Sequence, residues 1–112
     1  MLTPAQETLL RQLSIGDGAS FTDELHGAEP VLDERTAALV RLSALIMRDS
    51  PTASYQRAVQ AALDAGVSVD EMLALLPLLA QLAGSTVVFN AAPKLAMALG
   101  YDVESGLERL IS

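Results

Sequence analysis

The sequence predicts an all-α, oligomeric protein of about six helices with a central helical hairpin. Three observations carry this expectation. From Ser68 to Gly100 the chain is almost wholly apolar or small, with a helix start at Ser68 and a break at Gly84. Ahead of it, Asp33–Arg48 and Ser50–Gly66 each read as an amphipathic helix bounded by a cap and a breaker. No alternating strand pattern, repeat or low-complexity segment competes.

Thr3 is placed to cap a first helix, with Pro4 at its first position and Gln6 closing a capping box. Leu9, Leu10 and Leu13 give it a short apolar stripe. Ser14 to Val31 follows, with Gly16, Gly18, Gly27 and Pro30 among Asp17, Asp23, Glu24 and Glu29, which is loop chemistry. Residues 1–31 are thus expected to be a helix and an acidic loop, and 32–112 the helical domain. Asp33 caps the second helix, with Ala37, Val40, Ala44, Leu45 and Met47 among its apolar positions. Ser50 and Pro51 are expected to cap and begin the third, where Tyr55, Val59 and Ala62 face inward, and Gly66 ends it. Ser68 and Glu71 form a capping box for the fourth, which from Met72 to Leu82 has Gln81 as its single polar side chain. A helix apolar all round must be enclosed by other helices or by lipid. Pro77 and Pro93 lie inside helical patterns and free the carbonyls of Leu73 and Phe89. Thr86, Asn90 and Lys94 make the polar stripe of the fifth helix. Asp102 is placed to cap a short sixth.

Composition narrows the function. A hydrophobic fraction of 51% with 4% aromatic residues describes a core of Leu, Ala and Val and an apolar excess that a monomer of 112 residues hides poorly, so a homo-oligomer is expected. Fourteen acids against seven bases give a net charge of −7, which opposes phosphate neutralisation, so nucleic acid is not an expected partner. Absence of cysteine excludes disulfides, thiolate nucleophiles and thiolate metal sites. His26, the sole histidine, beside scattered carboxylates reads as a solvated loop residue, so neither a metal site nor a cofactor is expected. The opening MLTPAQETLL has no basic segment followed by an apolar one, and a cytoplasmic location is expected. Met72 to Ala92 is uncharged, but Pro77, Gln81 and Gly84-Ser85-Thr86 interrupt it and its flank offers Asp70 and Glu71, so a membrane span is not expected.

From Leu32 to Gly100 the chain resembles the carboxymuconolactone decarboxylase family, which includes alkylhydroperoxidase-D-like proteins. The segments that carry the resemblance are LDERTAALVRL, AALDAGVSVDEM and LAGSTVVFNAA. It implies an all-helical fold assembling as trimers or hexamers, with pockets near subunit contacts. The peroxidase branch uses a glutamate, two cysteines with two residues between them and a histidine. Those places fall here at Ala38, at Ser50 and Ala53 (or Pro51 and Ser54), and at Arg57 or Ala58. Thiol peroxidase chemistry is therefore absent. The histidine usual in the decarboxylase branch is missing too, so the resemblance carries the fold without its known active sites.

Three functions follow. A divergent decarboxylase or lactone-handling enzyme, put first on the resemblance alone, would bind its substrate through Arg41, Arg48 or Arg57 and protonate it from a carboxylic acid of raised pKa or from Tyr55. A non-catalytic binder would enclose a small carboxylated or aromatic ligand with Tyr55, Phe89 and Met97, oriented by Ser54 or Arg57. A structural or interaction subunit would have no small-molecule site. The expected ligand position is the turn from Arg48 to Arg57. There Ser50 opens a helix whose N–H groups attract an anion, Arg48 and Arg57 flank it, and Tyr55 and Phe89 supply walls. The competing readings are a solvated stripe for Glu34, Arg41 and Arg48, which recur every seven residues, and an exposed ion pair for Arg57 beside Gln60 and Asp64.

Overall fold

The computed structural model describes residues 1–16 and 31–111. Among them are six helices and no strand: α1 (Pro4–Ile15), α2 (Glu34–Met47), α3 (Thr52–Asp64), α4 (Val69–Ala83), α5 (Ser85–Ala98) and α6 (Val103–Ile111). The chain divides into two units, Met1–Val31 and Leu32–Ser112. His26 and most of the expected acidic loop lie outside the described residues.

In the first unit α1 starts as its local chemistry dictates. The Thr3 hydroxyl accepts from the Gln6 N–H at 3.2 Å, and the Gln6 side chain accepts from the Thr3 N–H at 2.8 Å. Gly16 closes the helix in the left-handed conformation. No residue of α1 is buried, and Leu9, Leu10 and Leu13 are all exposed.

In the second unit α2 packs against α3 and α4, and α5 packs against the same two helices, so four helices surround one core. The sixth attaches to α5. Ala38, Leu42 and Ile46 of α2 are buried at i, i+4 and i+8. They meet Tyr55, Val59 and Ala62 of α3, Met72 and Leu79 of α4, and Ala91 and Leu95 of α5. Full burial of a side chain such as Leu42 or Leu95 is worth about 1.5–3 kcal/mol. The α2 stripe differs from the expected one, because Val40 and Met47 are exposed. Between Ala37 and Met47 apolar residues occupy every face of this helix, so periodicity alone does not select the face that meets α3 and α4.

Helix ends account for most remaining backbone groups. Asp33 accepts from the Thr36 N–H at 2.7 Å at the start of α2. Ser68 and Glu71 form the capping box of α4, and the outer oxygen of Glu71 pairs with Arg35, tying the start of α4 to that of α2. The ends of α3 and α5 share one motif. The Val67 N–H bonds to the Ala62 carbonyl at 2.9 Å across left-handed Gly66, and the Tyr101 N–H bonds to the Ala96 carbonyl at 2.8 Å across left-handed Gly100. At the other junction Gly84 ends α4 and begins α5 with no residue between. Its φ of 91° and ψ of 162° lie in a region open in practice to glycine alone.

The α4/α5 pair is covered on one side only. Met72, Leu79, Ala91 and Leu95 face the core, whereas Leu73, Leu78, Leu82, Phe89 and Met97 are exposed within the chain. The enclosure expected for Met72 to Leu82 is therefore not completed by this chain's described residues. No helix among them is long and apolar enough to cross a membrane.

Candidate functional site

The turn between α2 and α3 is built from the residues that end one helix and start the next. Arg48 is the C-cap of α2 and Asp49 follows at φ 52°, the one left-handed residue other than glycine among those described. Across it the Ser50 N–H returns to the Leu45 carbonyl at 3.3 Å. An aspartate at this position is strained relative to glycine, and α5 holds it there. Lys94 Nζ donates to Asp49 Oδ1 at 2.8 Å and to the Ser50 carbonyl at 3.0 Å. Tyr55 adds a third tie, its hydroxyl donating to the Leu45 carbonyl at 3.3 Å.

This geometry corrects the expected cap. The N-cap of α3 is Pro51, which has no side-chain cap, and its carbonyl accepts from the Ser54 and Tyr55 N–H groups. Ser50 belongs to the closing turn of α2 and is buried. Its backbone is committed in both directions, to Leu45 and to Lys94.

Outside this turn, α2 and α3 form an open groove of about 470 Å³. Arg41, Ala44, Leu45 and Arg48 line it from α2, and Ser54, Arg57, Ala58 and Ala61 from α3. Alanines at Ala44, Ala58 and Ala61 keep the floor shallow and apolar. The seven-residue step from Arg41 to Arg48 places both guanidinium stems on one face, about 10 Å apart along the axis.

Charge is unevenly placed around this groove. The chain has seven basic side chains at a net charge of −7, yet three of the seven line the groove and no acidic residue does. Arg35 and Lys94 are paired with Glu71 and Asp49. Arg41, Arg48 and Arg57 have no ion pair among the described residues. Asp64, on the same helix, accepts from Gln60 Nε2 at 3.0 Å and forms no ion pair with Arg57. The groove can therefore offer guanidinium N–H groups and the Ser54 hydroxyl to an anion whose apolar body rests on the alanines.

Of the residues expected at the site, the groove brings together Arg48, Ser54 and Arg57, with Arg41 as a third arginine. Tyr55 is fully buried in the core, so its role is to fasten the turn. Burial first, and then the negative charge of Asp49, raise its pKa above the usual 10.0, which keeps the phenol protonated and donating. Phe89 is exposed on α5 and does not line the groove; nor does Met97, which borders a separate hollow with Pro93, Tyr101, Asp102, Val103 and Glu104. In the sequence Lys94 belongs to the polar stripe of α5 with Thr86 and Asn90. Its tie to Asp49 spans 45 residues and has no local signature. Among the described residues no group of three or more histidine or carboxylate side chains is placed to hold a metal ion. No protein-family model, curated protein or solved structure matches the chain.

Proposed function

We propose that the protein is a carboxymuconolactone-decarboxylase-like, homo-oligomeric helical protein whose α2/α3 groove binds a small carboxylated compound with an aromatic or other apolar body. The observation that carries this reading is the convergence of Arg41, Arg48 and Arg57, free of ion pairs among the described residues, on one alanine-floored groove in an acidic chain. A carboxylate there accepts charge-assisted hydrogen bonds worth about 1.5–3 kcal/mol each where geometry allows.

Binding fits this groove better than turnover. A decarboxylation or lactone opening needs a group that delivers or removes a proton near neutral pH. The lining supplies arginines and one serine hydroxyl, and the phenol of Tyr55 is directed to the Leu45 carbonyl. Lacking cysteine, the chain is not a thiol peroxidase. Hydroperoxide consumption coupled to a dithiol reductant is expected to equal the protein-free rate.

The test pairs charge with shape. A panel of small aromatic and lactone carboxylates is titrated against the protein alongside their uncharged amides, with each solution checked afterwards by mass spectrometry. Carboxylates are expected to bind and weaken with added salt, their amides not to bind, and the compounds to be recovered unchanged. Equal affinity for acid and amide would remove the arginines from the account, and conversion of the acid would restore the enzyme reading.

A further inference from the structure

The stretch from Glu34 to Asp64 builds the groove and holds three carboxylates. Two of them stand off from its arginines. Glu34 is seven residues from Arg41 and Asp64 seven from Arg57, about 10 Å along the helix in each case. The third, Asp49, follows Arg48 directly. Their Cα atoms are about 3.8 Å apart, well inside the reach of an arginine side chain. Asp49 also lies outside α2, so the rule that adjacent residues of a helix point apart does not separate them. Its side chain is 68% exposed, which leaves it free to turn towards the arginine once nothing else holds it.

Arg48 and Asp49 nevertheless form no ion pair. The carboxylate goes to Lys94 of α5 instead, whose Nζ donates to Asp49 Oδ1 at 2.8 Å and to the Ser50 carbonyl at 3.0 Å. Two bonds from one ammonium fix it at the turn, and the Lys94 side chain is only 29% exposed. Neither Asp49 nor any residue of α5 lines the groove. The charge of Asp49 is felt on the core side, where after burial it is the second cause that raises the pKa of buried Tyr55. The acid closest in sequence to a groove arginine is thus spent on a cation outside the groove.

We propose that Lys94 is a positioning residue for the groove: by holding the Asp49 carboxylate it keeps that carboxylate from pairing with Arg48, and so leaves Arg48 to an incoming anion. The inference deepens the reading of the groove as a carboxylate site and rests on it. Lys94 touches no ligand and acts through Asp49. Removing it frees an internal anion that competes for the same guanidinium, whereas removing Asp49 as well removes the competitor. A lysine that merely fastened the turn would behave otherwise, because both variants lose the two bonds that Lys94 makes.

The test compares the wild type, Lys94→Met, Asp49→Gly and the double variant Lys94→Met with Asp49→Gly, each verified as folded by circular dichroism. Glycine suits the left-handed position and carries no carboxylate. Two measurements are made. Calorimetric titration with 2-naphthoate reads the groove as an anion site. The rate of phenylglyoxal modification at Arg48, followed by peptide mass spectrometry with Arg41 as the internal reference, reads the pairing of Arg48 without any ligand. An exposed ion pair is worth up to about 1 kcal/mol, so Lys94→Met is expected to bind 2-naphthoate about fivefold more weakly and to slow modification at Arg48 but not at Arg41. Asp49→Gly and the double variant are expected to match the wild type within about twofold in both measurements. Unchanged modification of Arg48 in Lys94→Met overturns the inference. So does a double variant as weak as Lys94→Met, which would make Lys94 a fastener of the turn. A wild type that does not bind 2-naphthoate, with Arg48 slowed in Lys94→Met and restored in the double variant, overturns the carboxylate site and leaves the diversion of Asp49 from Arg48 standing.

Discussion

Replacing Gly84 by alanine isolates the cost of joining two helices through a single residue. With φ 91° and ψ 162°, the junction occupies a region in which a residue bearing a Cβ is strained by about 1–3 kcal/mol. A Cβ built there has no neighbouring atom within 4 Å, so the whole penalty belongs to the backbone and none to a clash. Alanine also restricts the unfolded chain, which returns about 0.4–1 kcal/mol to the folded state. The balance is a loss of roughly 1–2 kcal/mol, or a fall in Tm of several degrees for a domain of this size. Urea denaturation of both proteins at one fixed concentration measures it, and the slope against urea is expected to stay the same because the buried surface does not change. An alanine variant as stable as the wild type would refute the reasoning, since it would mean that α4 and α5 meet through a conformation open to any residue.

The α2/α3 turn yields further predictions. Tyr55→Phe removes the hydroxyl bond to the Leu45 carbonyl, which the Ser50 N–H still occupies, and should cost about 0.5–1.5 kcal/mol in a denaturant titration. Because the folded state raises the Tyr55 pKa above 10.0, it holds the phenolic proton more tightly than the unfolded chain does. That contribution is complete below pH 10 and is lost as pH rises through the folded-state pKa, so the stability difference between wild type and Tyr55→Phe should shrink in alkaline solution. Lys94→Met breaks both bonds to the turn and should destabilise by about 1 kcal/mol, the carboxylate of Asp49 being largely exposed. Asp49→Gly loses the same ion pair but relieves the left-handed strain, so it should stay within about 0.5 kcal/mol of the wild type and be the milder of the two by thermal denaturation.

What the sequence disclosed and what it concealed divide along the range of the interactions. The starts of α1, α2 and α4 were legible because Thr3, Asp33 and Ser68 act on N–H groups three residues away. Gly66, Gly84 and Gly100 were legible as breaks for the same local reason. Ser50 resembles a cap in the sequence, but the bond that fixes its place runs backwards over Asp49 to Leu45, and an aspartate in the left-handed conformation leaves no glycine to mark it. Lys94 holds that aspartate from another helix, a contact that periodicity does not carry. At the groove, the seven-residue spacing of Arg41 and Arg48 was visible, and so was the nearness of Arg57 to the turn. Their convergence depended on the pairing of α2 with α3, which buries Tyr55 and leaves the alanines outward. Phe89 is expected there on the premise that the proline-kinked helix carrying it packs over the turn; that helix does pack on α3, but Phe89 itself is exposed and does not line the groove.

The groove's function is tested most directly by calorimetric titration of small aromatic and lactone carboxylates against the wild type and against Arg41→Ala, Arg48→Ala and Arg57→Ala. All three side chains are exposed and unpaired among the described residues, so the substitutions should leave the fold intact. The account predicts that a carboxylate binding the wild type binds at least one of the three variants about ten- to a hundredfold more weakly, the loss of one charge-assisted contact of about 1.5–3 kcal/mol. A carboxylate that binds the wild type and all three variants with equal affinity would contradict it.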